Sequence, residues 1–268
     1  MTTLDQYQDQ FSCIRISRDE NGILLIRLHR EDETLRWNRD SHLEVSRMLP
    51  LVASDPDNRV VIITGTGEYF TKFELTAFGP PIGGTRHGHT AQSWDPIMSA
   101  ERSLMSAHLS IPVPVIAAVN GPAHVHADIA LLSDVVLATP RAHFADESHF
   151  WRGIVPGDGV HVVWPALLGP NLGRYFLMAG KPLEAEEALS RGLIGEIVED
   201  EHLLDRAYEI ARKIAAYPDM NVRYTRDLLT RRYRRLMADE LGYGLTLQGL
   251  SAVAAAETNR AAEEAAVR

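Results

Sequence analysis

The chain has 268 residues, 45% of them hydrophobic, which is enough to form one large α/β domain or two smaller ones. Its formal net charge of -9 argues against a nucleic-acid or anionic-membrane surface, because both are polyanions that repel an acidic protein. The single cysteine, Cys13, excludes an intrachain disulfide, and the sequence shows neither a signal segment nor an apolar run of membrane-spanning length. We therefore expect a cytoplasmic protein.

The first part of the chain alternates short β-type runs with helical patterns. Residues 13–16 and 23–28 predict a hairpin, because the Asn-Gly pair between them accepts a positive φ. Residues 40–52 repeat apolar side chains at helical spacing, and residues 60–64 form an apolar run typical of a strand buried on both faces. Residues 73–94 are rich in turn formers and too long for an ordinary connection, which is typical of lids and binding loops.

The same order of strand, loop and helix recurs in the rest of the chain. The predicted helices cover residues 95–111, 128–132, 160–168 and 172–178, and the predicted strands 113–121, 135–139, 143–146 and part of 194–200. From residue 184 onward the pattern is otherwise helical. Repeated units of this kind predict an α/β fold, a spiral of strands with helices outside it.

Candidate catalytic residues concentrate around one bend, in the sequence IVPGDG. Pro156, Gly157 and Gly159 break regular structure, so that a turn presents Asp158 just before an apolar helix. The start of a helix favours an ionised carboxylate at this position. If His149 reaches Asp158 across the bend, the carboxylate would fix the tautomer of the imidazole and raise its basicity. The same pattern also fits an N-cap aspartate and an unrelated surface histidine.

Several separate stretches resemble the crotonase (enoyl-CoA hydratase/isomerase) superfamily. They are VVIITGTGEYF, IPVPVIAAVNGPA, SDVVLATPRAHFA, GIVPGDG and AEEALSRGLIGEIV, which together span most of the chain. The resemblance implies a crotonase-like α/β core of repeated ββα units in residues 1–199, and a C-terminal helical region in residues 200–268 that serves oligomerisation. It further implies a homo-trimer or homo-hexamer, and an oxyanion hole of two backbone N–H groups that stabilises an enolate.

The functional positions depart from the superfamily members that process acyl-CoA thioesters. Those members usually carry a run of glycines after the Asn-Gly pair at residues 120–121, whereas this chain has PAHVHAD. The second oxyanion motif is shortened around Phe73. Of the two glutamates that act on water in the hydratases, the first matches Asp128 and the second falls on or beside His149. Asp128 is therefore either a catalytic helper or a carboxylate that begins a helix.

These departures resemble the 6-oxocamphor hydrolase subgroup, whose members cleave a carbon–carbon bond in a cyclic β-diketone. The shared motifs are HFxxGIVPGDGxHVVWP, VNGPxxxH and GRYFL. The resemblance implies that His149 and Asp158 form an acid/base dyad. It also implies that His126 hydrogen-bonds a substrate carbonyl and that His42 is a further pocket histidine. Gln248 stands where the subgroup has a glutamate, and since an amide cannot accept a proton, either the roles are redistributed or the substrate differs.

Polar and aromatic side chains together should bind the substrate. The candidates are His42, Trp37, Phe73, Phe150, Trp151 and Gln248. The other histidines considered, His87, His89, His124 and His143, fit exposed-loop or structural positions. The histidines lack HExxH-type spacing, and the expected chemistry requires neither a metal nor another cofactor.

The expected reaction is hydrolysis of a carbon–carbon bond in a small, cyclic β-diketone by a retro-Claisen mechanism. That reaction needs a base for water, a donor that polarises the attacked carbonyl and an acid for the enolate, and histidine suits such proton transfers near pH 7. Two alternatives stay open. One is an enoyl-CoA hydratase or isomerase that uses Asp128 with His149, and the other is an inactive crotonase-like assembly or binding protein, which the change at Gln248 permits.

Overall fold

The computed structural model describes residues 2–73 and 89–266. In chain order the strands are β1 (Ile14–Arg18), β2 (Ile23–Leu28), β3 (Arg36–Trp37), β4 (Val60–Thr64), β5 (Lys72–Phe73), β6 (Val115–Val119), β7 (Val135–Ala138), β8 (His143–Phe144), β9 (Leu183–Glu184) and β10 (Glu196–Ile197). The α-helices are α1 (Arg39–Ser54), α2 (Ala91–Ser110), α3 (Ala127–Leu131), α4 (Val160–Leu168), α5 (Pro170–Ala179), α6 (Ala185–Ser190), α7 (Leu203–Ala215) and α8 (Asp219–Ala266).

The main sheet has the strand order β1-β2-β4-β6-β7-β10. The hairpin of β1 and β2 is antiparallel, and Gly22 supplies the positive φ of +76° in its turn, which confirms the predicted hairpin. Each later strand joins the sheet in parallel. Every residue of β4 and β6 is buried, because helices cover both faces of a sheet whose strands are connected by crossovers.

The two faces of the sheet carry separate hydrophobic cores. The larger core lies on the face covered by α1, α2 and α4 and includes Trp37, Leu104 and Trp164. On the opposite face, α7 packs Leu203 and its neighbours against apolar side chains of β4 and β6. A helix from the region that we assigned to oligomerisation therefore also covers the sheet.

Two pairs of short strands lie outside the main sheet. Trp37 of β3 pairs with Phe73 of β5 in parallel, and β8 pairs with β9. Single bridges from Ala123 to Thr71 and to Phe144 connect these two pairs. The bridges bring the loop before α3 and the segment after β8 close to Trp37, and these segments carry the candidate site.

Helix capping explains where the predicted boundaries differ from the observed ones. α2 begins at Ala91, before the predicted residue 95, because the Thr90 hydroxyl accepts a hydrogen bond from the Ser93 N–H. Asn38 caps α1 in the same way, through reciprocal bonds with Ser41.

Most of the predicted loop of residues 73–94, His87 included, lies outside the described residues. No described helix has both the length and the apolar character that crossing a membrane requires.

The long helix α8 approaches the IVPGDG bend at a pair of glycines. A Cβ atom on Gly157 would lie 2.1 Å from the carbonyl oxygen of Gly244. A Cβ atom on Gly244 would lie 2.5 Å from the carbonyl oxygen of Gly157. Only glycine permits this approach, which places Gln248, one turn further along α8, beside the bend.

Candidate active site

A cavity of about 230 Å³ lies between α1, α2, the bend and α8. Ligand clefts typically measure about 300–1,000 Å³, so the described walls enclose space for a compact molecule. The apolar part of the wall consists of Trp37, Leu43, Phe73, Trp94, Pro96, Ile97, Ala100 and Ile154. The polar groups that could carry chemistry are His42, Glu101, His126, His149, Asp158 and Gln248.

His149 is held between two carboxylates. Its Nδ1 lies 2.7 Å from Oδ1 of Asp146, and its Nε2 lies 3.0 Å from Oδ2 of Asp158. His149 is 4% exposed and Asp158 5%, and the N-cap of α4 is Gly159. The alternative of a surface histidine beside an N-cap aspartate is therefore wrong, and the contact distance is the one expected of a dyad.

Asp146 is a site residue that the sequence did not reveal. An orienting carboxylate normally binds Nδ1 and leaves Nε2 for the reaction, and Asp146 occupies that Nδ1 position. The only signal in the sequence is the spacing of three residues between Asp146 and His149, which many unrelated pairs share. Asp158 instead shares the Nε2 side of the ring.

Gln248 completes the surroundings of His149. Its amide nitrogen lies 3.0 Å from Nε2 of the imidazole. A carboxamide offers an N–H to a neutral ring nitrogen and, after rotation, its oxygen to a protonated one. Gln248 can therefore hydrogen-bond to His149 in both of its protonation states, although it cannot take up a proton itself.

The two carboxylates set the charge of His149. Burial disfavours the imidazolium, but Asp158 and Asp146 outweigh it and raise the pKa of His149 well above its ordinary value. Burial likewise disfavours the charged form of Asp158, but the adjacent His149 lowers the pKa of this carboxyl below its ordinary value. The resting pair is an imidazolium and a carboxylate.

Glu101 brings a second carboxylate into the cavity from α2. Its Oε1 lies 3.1 Å from Nε2 of His42 and 3.5 Å from Nε2 of His126, and the side chain is 3% exposed. The Ser46 hydroxyl donates to the Ala100 carbonyl and so ties α1 to α2 beside this contact. Sequence analysis missed Glu101. A signal for it existed, since this charged residue interrupts the apolar face of the predicted helix.

His126 adopts a backbone conformation that favours glycine. Its φ is +50°, in the left-handed region, where a residue with a side chain is disfavoured by about 1–2 kcal/mol. An imidazole thus stands at a position whose backbone conformation glycine adopts more readily. The ring centroid lies 4.5 Å from that of Trp37, and Nδ1 lies 3.8 Å from Oδ1 of the buried Asp128. Asp128 therefore lies beside His126 and outside the cavity lining.

The two histidines beside Glu101 differ in charge. Burial would lower the pKa of His126, but Glu101 and Asp128 raise it to about 9, so this imidazole carries a proton. Burial and the nearby His126 lower the pKa of His42 to about 3, so His42 is neutral.

The aromatic candidates divide into two groups. Trp37 and Phe73 line the cavity together with His42 and Gln248. Phe150 and Trp151 do not line it, and they are 43% and 67% exposed. They lie on the 3-10 turn Phe150–Arg152, whose period of three directs His149 and Arg152 to the cavity and the two residues between them outward.

Two other histidine expectations need correction. His89, which we expected on an exposed loop, lines the cavity and packs edge-on against Trp94. His124 is partly buried, and its Nε2 lies 2.6 Å from Nε2 of His143. The His124 and His143 pair is absent from the cavity lining.

One cluster in the described part of the chain has the spacing of a metal site. His42, Glu101 and His126 each offer one ligand atom, and these atoms lie within 4.8 Å of one another. The three residues are far apart in sequence, so that no short motif indicates the cluster.

A sequence model described as enoyl-CoA hydratase/isomerase matches residues 18–252. The chain belongs to this family. The resemblance to the crotonase superfamily is thereby confirmed, as is the α/β crotonase fold with mixed sheets and a long C-terminal helix.

Proteins with different activities are similar to this chain. A β-diketone hydrolase from the cyanobacterium Anabaena sp. PCC 7120, solved with (S)-3-oxocyclohexyl acetic acid, is 38% identical and superposes with a TM-score of 0.87 over 92% of this chain and 96% of its own. An enoyl-CoA hydratase/isomerase from Mycobacterium paratuberculosis is 26% identical, with a TM-score of 0.83 over 91% and 95%. The 1,2-epoxyphenylacetyl-CoA isomerase of Escherichia coli (strain K12) is 30% identical over 207 residues, which is 76% of each chain.

Proposed function

We propose that this family member hydrolyses a carbon–carbon bond in a cyclic β-diketone by a retro-Claisen mechanism. The observation that carries the proposal is the set of acid/base groups in a compact cavity, where His149 lies between two carboxylates and His126 carries a proton. The similarity to the Anabaena β-diketone hydrolase supports the same reaction.

In the first step, His149 in its neutral form takes a proton from water while the water oxygen bonds to one carbonyl carbon. His126 donates a hydrogen bond to the carbonyl oxygen as negative charge develops there. The bond between that carbon and the central carbon then breaks, and its electron pair forms the enolate of the second carbonyl. The imidazolium of His149 returns its proton to the enolate carbon. One water is consumed, and a ring substrate opens to a keto acid.

The contacts of His149 support a different orienting group from the one that the sequence suggested. Asp146 holds Nδ1 and fixes the orientation of the His149 ring. Asp158 lies at Nε2, where it stabilises the imidazolium that follows water attack. Gln248, on the same side, can hydrogen-bond to His149 in either charge state and takes no part in proton transfer.

The remaining wall of the cavity suits the keto acid product. Arg39 and Arg152 line the cavity, and the guanidinium of Arg152 lies 4.1 Å from the centroid of the Phe73 ring. A guanidinium is a good partner for a carboxylate, because it offers paired N–H donors. The apolar side chains of the wall suit the ring carbons.

Action on acyl-CoA thioesters is the second candidate, favoured by the activities of the curated relatives. On this chain it would use Asp128 with His149. Asp128, however, lies behind His126 and does not line the cavity. The imidazole of His126 also occupies the turn where the thioester-processing members usually have bare glycine backbone.

Substrate comparison distinguishes the two candidates. Cyclic β-diketones absorb strongly as enolates, so their cleavage can be followed as loss of absorbance, with crotonyl-CoA hydration measured in parallel. We expect diketone cleavage and little hydration. His149→Ala should lower cleavage by about a hundred- to ten-thousandfold, as expected for loss of a general base. The matched control is His143→Ala, which removes a histidine outside the cavity.

Three results would contradict the proposal. Crotonyl-CoA as the better substrate would favour a hydratase, and a His149→Ala variant with full diketone cleavage would remove the proposed base. Failure to cleave a panel of cyclic diketones of different ring size, with no hydration either, would favour an assembly or binding role.

A further inference from the structure

We infer that Arg152 and Arg39 bind a carboxylate that the substrate itself carries. The substrate is then an anionic cyclic β-diketone, and the product is a keto diacid. The inference rests on the proposed function for the reaction of that substrate. The preference for a carboxylate can be measured separately, on a ligand that is not cleaved.

The guanidinium of Arg152 is held in one orientation at the cavity. Its Nε donates a hydrogen bond of 2.7 Å to the backbone carbonyl of Glu147, and its central carbon lies over the ring of Phe73, 4.1 Å from the centroid. The two terminal nitrogens make no hydrogen bond to a described residue. They carry parallel N–H donors, which match the two oxygens of a carboxylate. Arg152 is therefore preorganised for an anionic group.

Arg39 is a second guanidinium at the same cavity. It lies on the first turn of α1, lines the cavity and forms neither a hydrogen bond nor an ion pair with any residue that the structure describes. A cation is disfavoured at this end of a helix, where the free N–H groups carry partial positive charge. An anion bound in the cavity would offset both positive charges.

Neither guanidinium forms a salt bridge with a carboxylate of the described residues. Glu147, whose backbone binds Arg152, places its Oε1 3.3 Å from Nδ1 of His124 instead. The carboxylates of Asp146 and Asp158 lie beside His149. The positive charge of the two arginines is therefore available to a ligand, in a chain whose net charge of -9 would otherwise repel an anion.

The stoichiometry of the reaction supports a second carboxylate. Hydrolysis adds one water as the carbon–carbon bond breaks, so that the attacked carbon becomes one carboxylate and the central carbon takes up a proton. A single guanidinium offers enough paired donors for that carboxylate. Two guanidiniums without salt bridges in one cavity wall therefore match two carboxylates, of which the substrate has to bring one.

Binding should be measured by calorimetry on the full-length protein with two cyclic monoketones. One carries a carboxylate on the ring and the other a carboxamide in its place, and both lack the second carbonyl that cleavage requires. We expect the carboxylate to bind about tenfold more tightly, as is typical of charge-assisted, paired hydrogen bonds. Arg152→Gln and Arg39→Gln should each lower this ratio, and the double variant should abolish it. Arg47→Gln, which removes an exposed arginine of α1 outside the cavity lining, should leave the ratio unchanged.

Cleavage should show the same preference. The probes are two cyclic β-diketones with two methyl groups on the central carbon, so that neither is an enolate between its carbonyls, and they again differ only in a ring carboxylate or carboxamide. Arg152→Gln should raise KM for the carboxylate substrate about tenfold and change kcat little, because the substituent is not the reacting group. The kinetics of the carboxamide substrate should stay the same, which would show that the surroundings of His149 are intact.

Four results would decide the matter. The inference is overturned if the carboxylate ketone binds no more tightly than its carboxamide, or if the double variant, folded by circular dichroism, keeps the preference. Binding of coenzyme A more tightly than the carboxylate ketone, lost in Arg152→Gln, would assign the guanidiniums to a phosphate and also overturn it. Equal cleavage of both diketones would overturn the inference and leave the proposed function intact. A carboxylate preference that depends on Arg152, in a protein that cleaves no diketone, would support the anion site and contradict the proposed function.

Discussion

His149 has a carboxylate beside each of its two ring nitrogens, and this arrangement governs the proposed reaction. Asp146 and Asp158 both stabilise the imidazolium of His149, so the resting site holds the acid form. Water attack, however, requires the neutral form. The contacts with Asp146 and Asp158 that stabilise the imidazolium formed after water attack therefore also lower the fraction of neutral His149, which is the form that acts as the base.

This charge state predicts an alkaline rise in activity. The neutral fraction of His149 increases as pH approaches its pKa, which lies well above the ordinary value of 6.5, so kcat/KM for diketone cleavage should rise from neutral to alkaline pH. Asp146→Asn removes one of the two carboxylates and should move the rising limb to lower pH. Maximal kcat/KM below pH 6.5, or a rising limb that Asp146→Asn leaves in place, would contradict this assignment.

His126 carries a second residue-scale prediction. Removal of one donor to a developing oxyanion typically costs about 3 kcal/mol, or roughly a hundredfold or more in rate. His126→Ala should therefore lower kcat for diketone cleavage by at least about that factor. Because the substitution also removes a buried imidazole from beside Glu101 and Asp128, the melting temperature should fall, and kcat is to be compared at a temperature where circular dichroism shows the variant folded. Unchanged kcat in a folded variant would exclude His126 from carbonyl polarisation.

At the scale of elements, the contact between α8 and the IVPGDG bend fixes part of the site. The approach at Gly157 and Gly244 brings Gln248 to 3.0 Å from His149. The same bend carries Asp158, so one backbone contact sets the positions of two side chains around one imidazole.

Gly244→Ala should accordingly damage both stability and activity. A Cβ at this position meets the Gly157 carbonyl at 2.5 Å, and overpacking of this kind typically costs about 1–3 kcal/mol. The control is Gly242→Ala, two residues earlier on α8, where the nearest atom is the flexible end of Arg102 at 3.2 Å. That substitution should be neutral or stabilising, because alanine favours a helix by up to about 1 kcal/mol. Equal melting temperatures and rates for the two variants would show that the backbone contact between Gly157 and Gly244 is not tight.

Sequence patterns located the elements more reliably than the site. The apolar runs of β4 and α4 predicted these elements with their observed ends, because each run coincides with the buried part of the element. Short strands such as β3 and β5 carry no period of their own and form only where other segments pair with them. For the same reason Asp146 and Glu101 were missed: each acts through a contact made in three dimensions, whereas the bend around Asp158 is marked locally by glycine and proline.

At the scale of the whole molecule, α8 exposes an apolar stripe. Met220, Tyr224 and Leu228 follow one another at intervals of four residues and are 62%, 63% and 70% exposed. Side chains at this spacing lie on one face of a helix. An exposed apolar face of this kind is typical of an interface between subunits, which supports our prediction that residues 200–268 serve oligomerisation.

The predicted assembly is a homo-trimer or homo-hexamer with closed symmetry. Light scattering at micromolar concentration should give a mass of three or six chains of 29.8 kDa. The Leu228→Glu variant should shift this mass toward one chain, because the introduced carboxylate cannot be buried in an apolar contact without cost. A monomer for the unmodified protein would contradict the prediction, and Leu228→Glu with an unchanged mass would place the interface elsewhere.

The contact between Gly157 and Gly244 also affects when the active site becomes complete during folding. α8 is the last element of the chain, and the surroundings of His149 are complete only when α8 has docked on the bend. The larger core includes Met237, Leu241 and Leu245 of α8, so a chain that has formed the sheet but has not yet docked this helix lacks both part of that core and the finished site. Recovery of catalysis during refolding would then report the docking of the C-terminal helix.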